Sequence, residues 1–301
     1  MTRIIGATES DFASADPDDL SARLYKLIPT QTQDMIAMFM FVILLPLGYM
    51  FEIFNVLGYT PFSEAWTIRV GILSYLGLNV YINYYYMCKI GPNGPNPILP
   101  NVVQAGFRYC HSCRMNAPPR AYHCPVCDRC AFRRDHHCSF GAVCVGHFNQ
   151  RYFIAAVANL WIVSAYLVLM TWEWMSVRMG GFTVIQLWQL VVPHVALMLR
   201  VISFHQFLCV LVFAFTLTVF VFVSYLMAAQ CFCLWRGQTR VEFLLDVHAY
   251  QLGFFSNLRQ CLGSRWFLVF LSPFIPSPLP SANGTSFETR EMVNHRSAKS
   301  M

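Results

Sequence analysis

The sequence predicts an all-α membrane protein, four transmembrane helices with a cytosolic cysteine-rich domain between helices 2 and 3. Three observations predict it. Hydrophobic residues make up 56% of the 301-residue chain and charged residues only 12%, far from the balance of a soluble globular domain. Four apolar runs, near Met35 to Leu57, Val70 to Met87, Tyr152 to Met175 and Phe207 to Leu234, are each long enough, at roughly 20 residues, to cross a hydrocarbon core about 30 Å thick. Between the second and third runs, the stretch from Cys110 to Cys144 holds eleven Cys and His residues, more soft ligands than any apolar core needs.

Taken in order, residues 1–34 are polar and acidic and read as a cytosolic tail without chemistry. No basic segment leads into the first apolar run, so a cleavable signal peptide is not expected. Residues 35–90 carry helices 1 and 2, with Glu52 and Arg69 near span ends, where snorkelling to the interface is the expectation. Gly91-Pro92-Asn93-Gly94-Pro95-Asn96-Pro97 breaks the chain after the second span, and residues 91–151 form the cysteine-rich domain. Residues 152–235 carry helices 3 and 4 and a luminal loop. Within that loop, Val184 to Ser203 is interrupted by Gln186, Gln189, Pro193, His194 and Arg200 and reads as an interfacial segment rather than a fifth span. Residues 236–301 are a cytosolic C-terminal region whose end, beyond Pro280, is polar and without apolar periodicity.

Orientation follows from charge. Lys89, Arg108, Arg114, Arg120, Arg129, Arg133, Arg134 and Arg151 lie between spans two and three, while Thr60 to Ala65 carries no basic residue. The positive-inside tendency therefore places the cysteine-rich domain, and with it both termini, in the cytosol. Thiols stay reduced there, which disfavours disulfides and favours metal binding or catalysis.

The cysteine spacing is Cys110-x-x-Cys113, then His123-Cys124-x-x-Cys127-x-x-Cys130, then Asp135-His136-His137-Cys138, then Cys144. Each Cys-x-x-Cys puts two thiolates on one tetrahedral zinc, and a His and a further Cys close the site. Two closed sites consume six cysteines and two histidines. At least one Cys and one His are left over, and a spare Cys beside a spare His is a nucleophile and its base. Because the domain has few aliphatic residues, most of its folding free energy is expected from metal ligation.

At these residues the chain closely resembles the DHHC family of membrane protein S-acyltransferases, the palmitoyltransferases. The match runs through the cysteine-rich domain and Cys144-Val145-Gly146-His147-Phe148-Asn149 to Phe153, and includes the four-span topology. The resemblance implies one structural zinc on Cys110, Cys113, His123 and Cys130, and a second on Cys124, Cys127, His137 and Cys144. It implies Cys138 as the acylated nucleophile, His136 as its base and Asp135 as the carboxylate that orients His136. It also implies long-chain acyl-CoA as co-substrate, with palmitoyl as the expected chain. Substrate proteins with accessible cysteines and the lipid bilayer are the other partners, and no nucleic acid is expected. Arg133, Arg134 and Arg151 are the expected contacts for the acyl-CoA phosphates, and the span helices are expected to hold the acyl chain. Thr239-Arg240-Val241-Glu242 resembles the family's Thr-Thr-x-Glu motif, and Tyr250 to Asn257 its C-terminal motif, with Asn257 bracing the structure.

Four departures bear on activity. Ser139-Phe140 follows the nucleophile where the family has Pro-Trp, and Gly141-Ala142-Val143 precedes Cys144 where the family carries asparagines. Arg240 replaces the second threonine of the Thr-Thr-x-Glu motif, and no Asp-Pro-Gly follows the second span. None removes a ligand or a member of the Asp-His-Cys set, so an active enzyme is expected. The alternative is a weak or inactive membrane-bound zinc adaptor of the same family. The expected location is an integral multi-pass one in the Golgi, the endoplasmic reticulum or the plasma membrane, with the active site cytosolic.

Overall fold

In lipid a backbone has no hydrogen-bond partner but itself, and all four apolar runs are helical. The computed structural model describes residues 31–57, 60–94, 105–181 and 183–299, with Pro29 and Leu99 besides. Helix α1 (Thr32–Val56) begins three residues before the expected Met35. Its turns at Met40–Leu44 widen to π geometry just before Pro46, as expected where proline supplies no N–H and its ring crowds the preceding turn. Helix α2 spans Glu64–Ile90.

The cysteine-rich domain corrects the all-α expectation. Three antiparallel hairpins build it: β1 (Arg108–Cys110) with β2 (Met115–Ala117), β3 (Tyr122–Cys124) with β4 (Arg129–Ala131), and β5 (His136–Cys138) with β6 (Val143–Val145). Strands of three residues are too short to leave a period-two hydrophobic signal. The first two hairpins turn through a Cys-x-x-Cys knuckle followed by a residue in the left-handed region, Arg114 (φ 50°) and Asp128 (φ 46°). That conformation is costly for a side chain with a Cβ, and it folds the chain back sharply enough for ligands to converge.

Helix α3 (Gln150–Arg178) follows directly. The expected loop contains the short helices α4 (Trp188–Val191) and α5 (Pro193–Met198), not a continuous span. Helix α6 covers Phe204–Arg236, and α7 (Arg240–Leu244), α8 (Phe254–Leu262) and α9 (Arg290–Lys299) complete the described chain. Among the described residues, α1, α3 and α6 are long and apolar enough to cross a membrane. Helix α2 has 27 residues, but Asn79, Asn83 and five tyrosines dilute its apolar character.

The chain divides into two compact units. One comprises Ile43–Val80 and Val157–Ala228. Its core joins Leu57, Trp66, Leu73, Val163 and Leu167, and the Trp66 indole donates to the Ile53 carbonyl at 2.9 Å. Glu52 does not snorkel. It is 4% exposed, with its carboxylate 2.9 Å from the Thr171 hydroxyl and 2.6 Å from that of Thr216. Two hydroxyl donors brought together by the fold make burial tolerable, and the sequence did not reveal that meeting.

The other unit comprises the described part of Met1–Val42 together with Tyr81–Ala156 and Ala229–Met301. Here the cysteine-rich domain is tied to the end of α2 by two asparagines. Asn93 donates to the Cys130 carbonyl and accepts from the Phe132 N–H. Asn149 donates to the Met87 and Cys144 carbonyls and accepts from the Gly146 N–H. Gly146 itself packs so closely that a Cβ there would strike the Phe132 carbonyl and the Pro92 ring, so only glycine fits. The C-terminal segment, polar and without apolar periodicity, packs on this domain. The Ser281 carbonyl accepts from His147 Nε2 at 2.6 Å, and the Phe287 ring meets those of His147 and Tyr250.

Candidate active site

Side chains alternate across a strand, so residues 136 and 138 of β5 share one face and residue 137 takes the other. The register pairs His137 with Cys144, which turns His137 toward a cysteine set and leaves His136 and Cys138 together opposite it. Cys110, Cys113, His123 and Cys130 converge with all ligand atoms within 4.8 Å of one another, and so do Cys124, Cys127, His137 and Cys144. Thiolates sharing one tetrahedral zinc at about 2.3 Å lie about 3.8 Å apart. The Cys113–Cys130 and Cys127–Cys144 sulfurs lie 3.6 and 3.7 Å apart. In both sets the histidine presents Nδ1, 3.3 Å from Cys113 Sγ for His123 and 3.2 Å from Cys127 Sγ for His137. Both donor sets therefore fit a metal ion of this kind and fill its coordination. Behind His137, Nε2 meets the buried Asp34 carboxylate at 3.0 Å, the outer contact that fixes a metal-ligating imidazole. Sequence reading left Asp34 in the tail, because 103 residues separate the partners.

On the opposite face of β5, His136 Nδ1 lies 2.8 Å from Asp135 Oδ2, and Cys138, two residues further along the same strand, shares that face and interacts electrostatically with the ring. Asp135 is 1% exposed. It accepts from the Arg240 backbone N–H at 2.8 Å and from the Gln230 side-chain amide at 2.9 Å as well. Burial alone would raise its pKa, but the bonds from His136, Arg240 and Gln230 hold it below the ordinary carboxylate range. For His136, burial disfavours the charged ring, yet the interactions with Asp135 and Cys138 prevail and push it up to about 9. The imidazole Nδ1–H is thus committed to Asp135, and the raised value favours a ring that carries a proton on its other nitrogen as well.

The departures from the family pattern are accommodated locally. Arg240 meets Asp135 through its backbone N–H, which any residue but proline supplies. The Phe140 carbonyl accepts from the Tyr84 hydroxyl at 2.8 Å, and the Phe41 ring packs edge-on at 6.1 Å. Thr239 caps α7 by accepting from the Glu242 N–H, and the Glu242 carboxylate returns to the Thr239 N–H, a reciprocal capping box. Glu242 also holds the Arg120 guanidinium with two bonds of 2.6 Å, both side chains fully buried. Asn257 bonds the Trp235 carbonyl, the Leu252 N–H and the Gln251 side chain.

The three arginines expected at phosphates differ in placement. Arg133 is buried with Nη1 on Gln150 Oε1 at 2.7 Å. Arg151 donates to the Ser277 carbonyl and the Tyr152 hydroxyl. Among the described residues, the Nε atoms of all three are buried without a hydrogen-bond partner. Sequence reasoning missed Gln150, Gln230 and Arg120 as well as Asp34, since a lone polar residue gives no signal until its partner is known.

Helices long and apolar enough to span a bilayer, in a chain that also carries two metal-fit ligand sets and an Asp-His-Cys arrangement, define a class of integral membrane protein with a cysteine-rich metal-binding domain. The comparisons with known proteins specify it. The family model described as DHHC palmitoyltransferase matches residues 103–247. A human protein named probable palmitoyltransferase ZDHHC24 is 34% identical over 195 residues, covering 63% of this chain and 67% of the relative. Its zebrafish (Danio rerio) counterpart is 32% identical over 245 residues, covering 76% and 78%. A Kluyveromyces lactis palmitoyltransferase, PFA3, is 42% identical over 65 residues, 22% of this chain and 20% of that one. The chain belongs to the DHHC palmitoyltransferase family.

Proposed function

We propose that Cys138 is the acylated nucleophile of this protein S-palmitoyltransferase, with His136 as its base and Asp135 as the group that orients His136. The observation that carries the reading is the meeting of the three on one hairpin, with the Asp135 carboxylate 2.8 Å from His136 Nδ1 and Cys138 on the same face of β5 as His136. His136 takes the Cys138 proton as Sγ attacks the thioester carbonyl of a long-chain acyl-CoA. The S–C bond to Cys138 forms, the bond to CoA sulfur breaks, and the CoA thiolate leaves with the proton from His136. A substrate-protein cysteine then attacks the acyl-Cys138 thioester in the same way and Cys138 leaves. Thioester is exchanged for thioester, so the protein supplies approach and activation, not driving force.

Each set of four ligands would hold one structural zinc, whose contribution is to fix the hairpins that present His136 and Cys138. Filled coordination leaves zinc no open position for substrate. Arg133, Arg134 and Arg151 are the candidates for the acyl-CoA phosphates, with the Nη groups of Arg133 and Arg151 already donating to protein oxygens. Helix α2, about 40 Å long at 1.5 Å per residue, completes a four-span topology with the active site and both termini on the cytosolic side. The Golgi and endoplasmic reticulum are the proposed locations. Substrates are cysteines near that membrane face, since an acyl chain gains about 0.8 kcal/mol for each methylene kept out of water.

The adaptor reading would need the metal ligands alone, and it gives no reason for a buried, thrice-bonded Asp135. Purified protein in detergent, given labelled palmitoyl-CoA, is expected to form a hydroxylamine-sensitive adduct on Cys138. The variant Cys138→Ser should lose the label while keeping two zinc ions per chain. Equal labelling of the folded variant would remove Cys138 from the reaction.

A further inference from the structure

Four side chains, each at most 3% exposed, run in one line behind the hairpin: Arg133, Gln150, Gln230 and Asp135. Arg133 Nη1 lies 2.7 Å from Gln150 Oε1. Gln150 Nε2 lies 3.2 Å from Gln230 Oε1. Gln230 Nε2 lies 2.9 Å from Asp135 Oδ2, the oxygen that also meets His136 Nδ1 at 2.8 Å. Two glutamines paired in isolation could each be flipped, since amide oxygen and nitrogen are interchangeable in shape. Here neither can be. A guanidinium only donates, so Gln150 must offer it oxygen, and a carboxylate only accepts, so Gln230 must offer it nitrogen. The ends fix the direction of every bond between them.

We propose that Arg133, Gln150 and Gln230 form a one-directional hydrogen-bond relay that orients Asp135 toward His136, making Gln150 and Gln230 positioning residues for acyl transfer. The proposal rests on the reading of Cys138 as nucleophile and His136 as base. Asp135 has several acceptor sites, and unless its rotation is restrained it can turn away from Nδ1–H, leaving the imidazole free to tilt or to take the other tautomer. Gln230 on one side and the Arg240 N–H on the other clamp the two carboxylate oxygens separately. The relay aims a positive dipole end at Asp135 while keeping the Arg133 charge two amides away. A direct arginine contact would compete with His136 for the same oxygen. The glutamines thus restrain the carboxylate without capturing it.

The test compares Gln230→Met and Gln150→Met with the parent, each as the full chain in detergent. Three quantities are read: the single-turnover rate of Cys138 acylation against palmitoyl-CoA concentration, the rate of Cys138 alkylation by iodoacetamide resolved by mass spectrometry, and zinc content. Both variants should keep two zinc ions and half-saturate within about twofold of the parent. Acylation and alkylation should each slow about tenfold, the scale of a modest misplacement at a reacting pair. Gln150→Met is the decisive variant if Gln230→Met loses its zinc, because it leaves every direct contact of Asp135 in place. Parent-like acylation and alkylation in a folded Gln150→Met would overturn the relay, as would a loss confined to half-saturation. A parent that never labels on Cys138 would instead overturn the acyl-transfer reading, and the alkylation rates would still decide whether the relay acts on Cys138.

Discussion

The cysteine-rich hairpins and the helical unit of Ile43–Val80 and Val157–Ala228 solve the same problem, holding polar groups away from water, in opposite ways. The hairpins have strands of three residues and a small apolar cluster around Leu99, Ala117, Ala121 and Phe132, so metal ligation is expected to supply what packing does not. The helical unit is apolar almost throughout, and its buried carboxylate, Glu52, is satisfied by two threonine hydroxyls. The first region is expected to need its metal ligands to fold, and the second to fold without the Glu52 contacts.

Removing metal breaks this contrast most directly. Structural zinc in small domains is worth on the order of 10 kcal/mol or more, so chelation should expose residues 105–148 to protease while far-UV helicity falls little. A parallel loss of helicity would mean that the two regions do not differ as described. Next in size is Arg120→Met, which strands the Glu242 carboxylate in a fully buried site. Breaking such a pair costs about 3–5 kcal/mol, read as a drop in melting temperature. The double variant Arg120→Met, Glu242→Leu should recover most of it, because the uncompensated charge is gone.

In the helical unit, Glu52→Leu should cost about 1 kcal/mol or less. Thr171 and Thr216 already lie 2.7 and 3.0 Å from the Leu167 and Val212 carbonyls and can turn their hydroxyls to them. A larger loss would give Glu52 a structural weight that the comparison denies it. The smallest effect concerns pH. Burial, with Arg133 and Arg120 near, holds His147 down to about 3, against about 6.5 when unfolded. Between those values the unfolded chain binds a proton that the folded chain does not, so stability is full above pH 6.5 and falls as pH is lowered toward 3. His147→Gln should flatten that acid limb, measured as the difference between melting temperatures of the two proteins across pH 6.5 to 4.

The helices were legible because period and length survive in composition. The predicted runs and the observed helices differ by a few residues at their ends, as for Tyr152 to Met175 against Gln150–Arg178. The two Cys-x-x-Cys pairs were legible because that spacing constrains its own geometry, while the His and Cys that close each set came from the family resemblance. The hairpins were not, since three-residue strands carry no period. Nor were Asp34, Gln150 and Gln230, whose partners lie 103, 80 and 95 residues away.

The sequence by itself determined which residues could bind metal or react, because ligand chemistry and spacing are local properties. It also determined the membrane class, since hydropathy needs no partner to be read. Only the tertiary structure decided how Asp135 is held. A hydrogen bond depends on where a second side chain arrives, and Gln230 and the Arg240 N–H reach that carboxylate by folding from the far end of the chain.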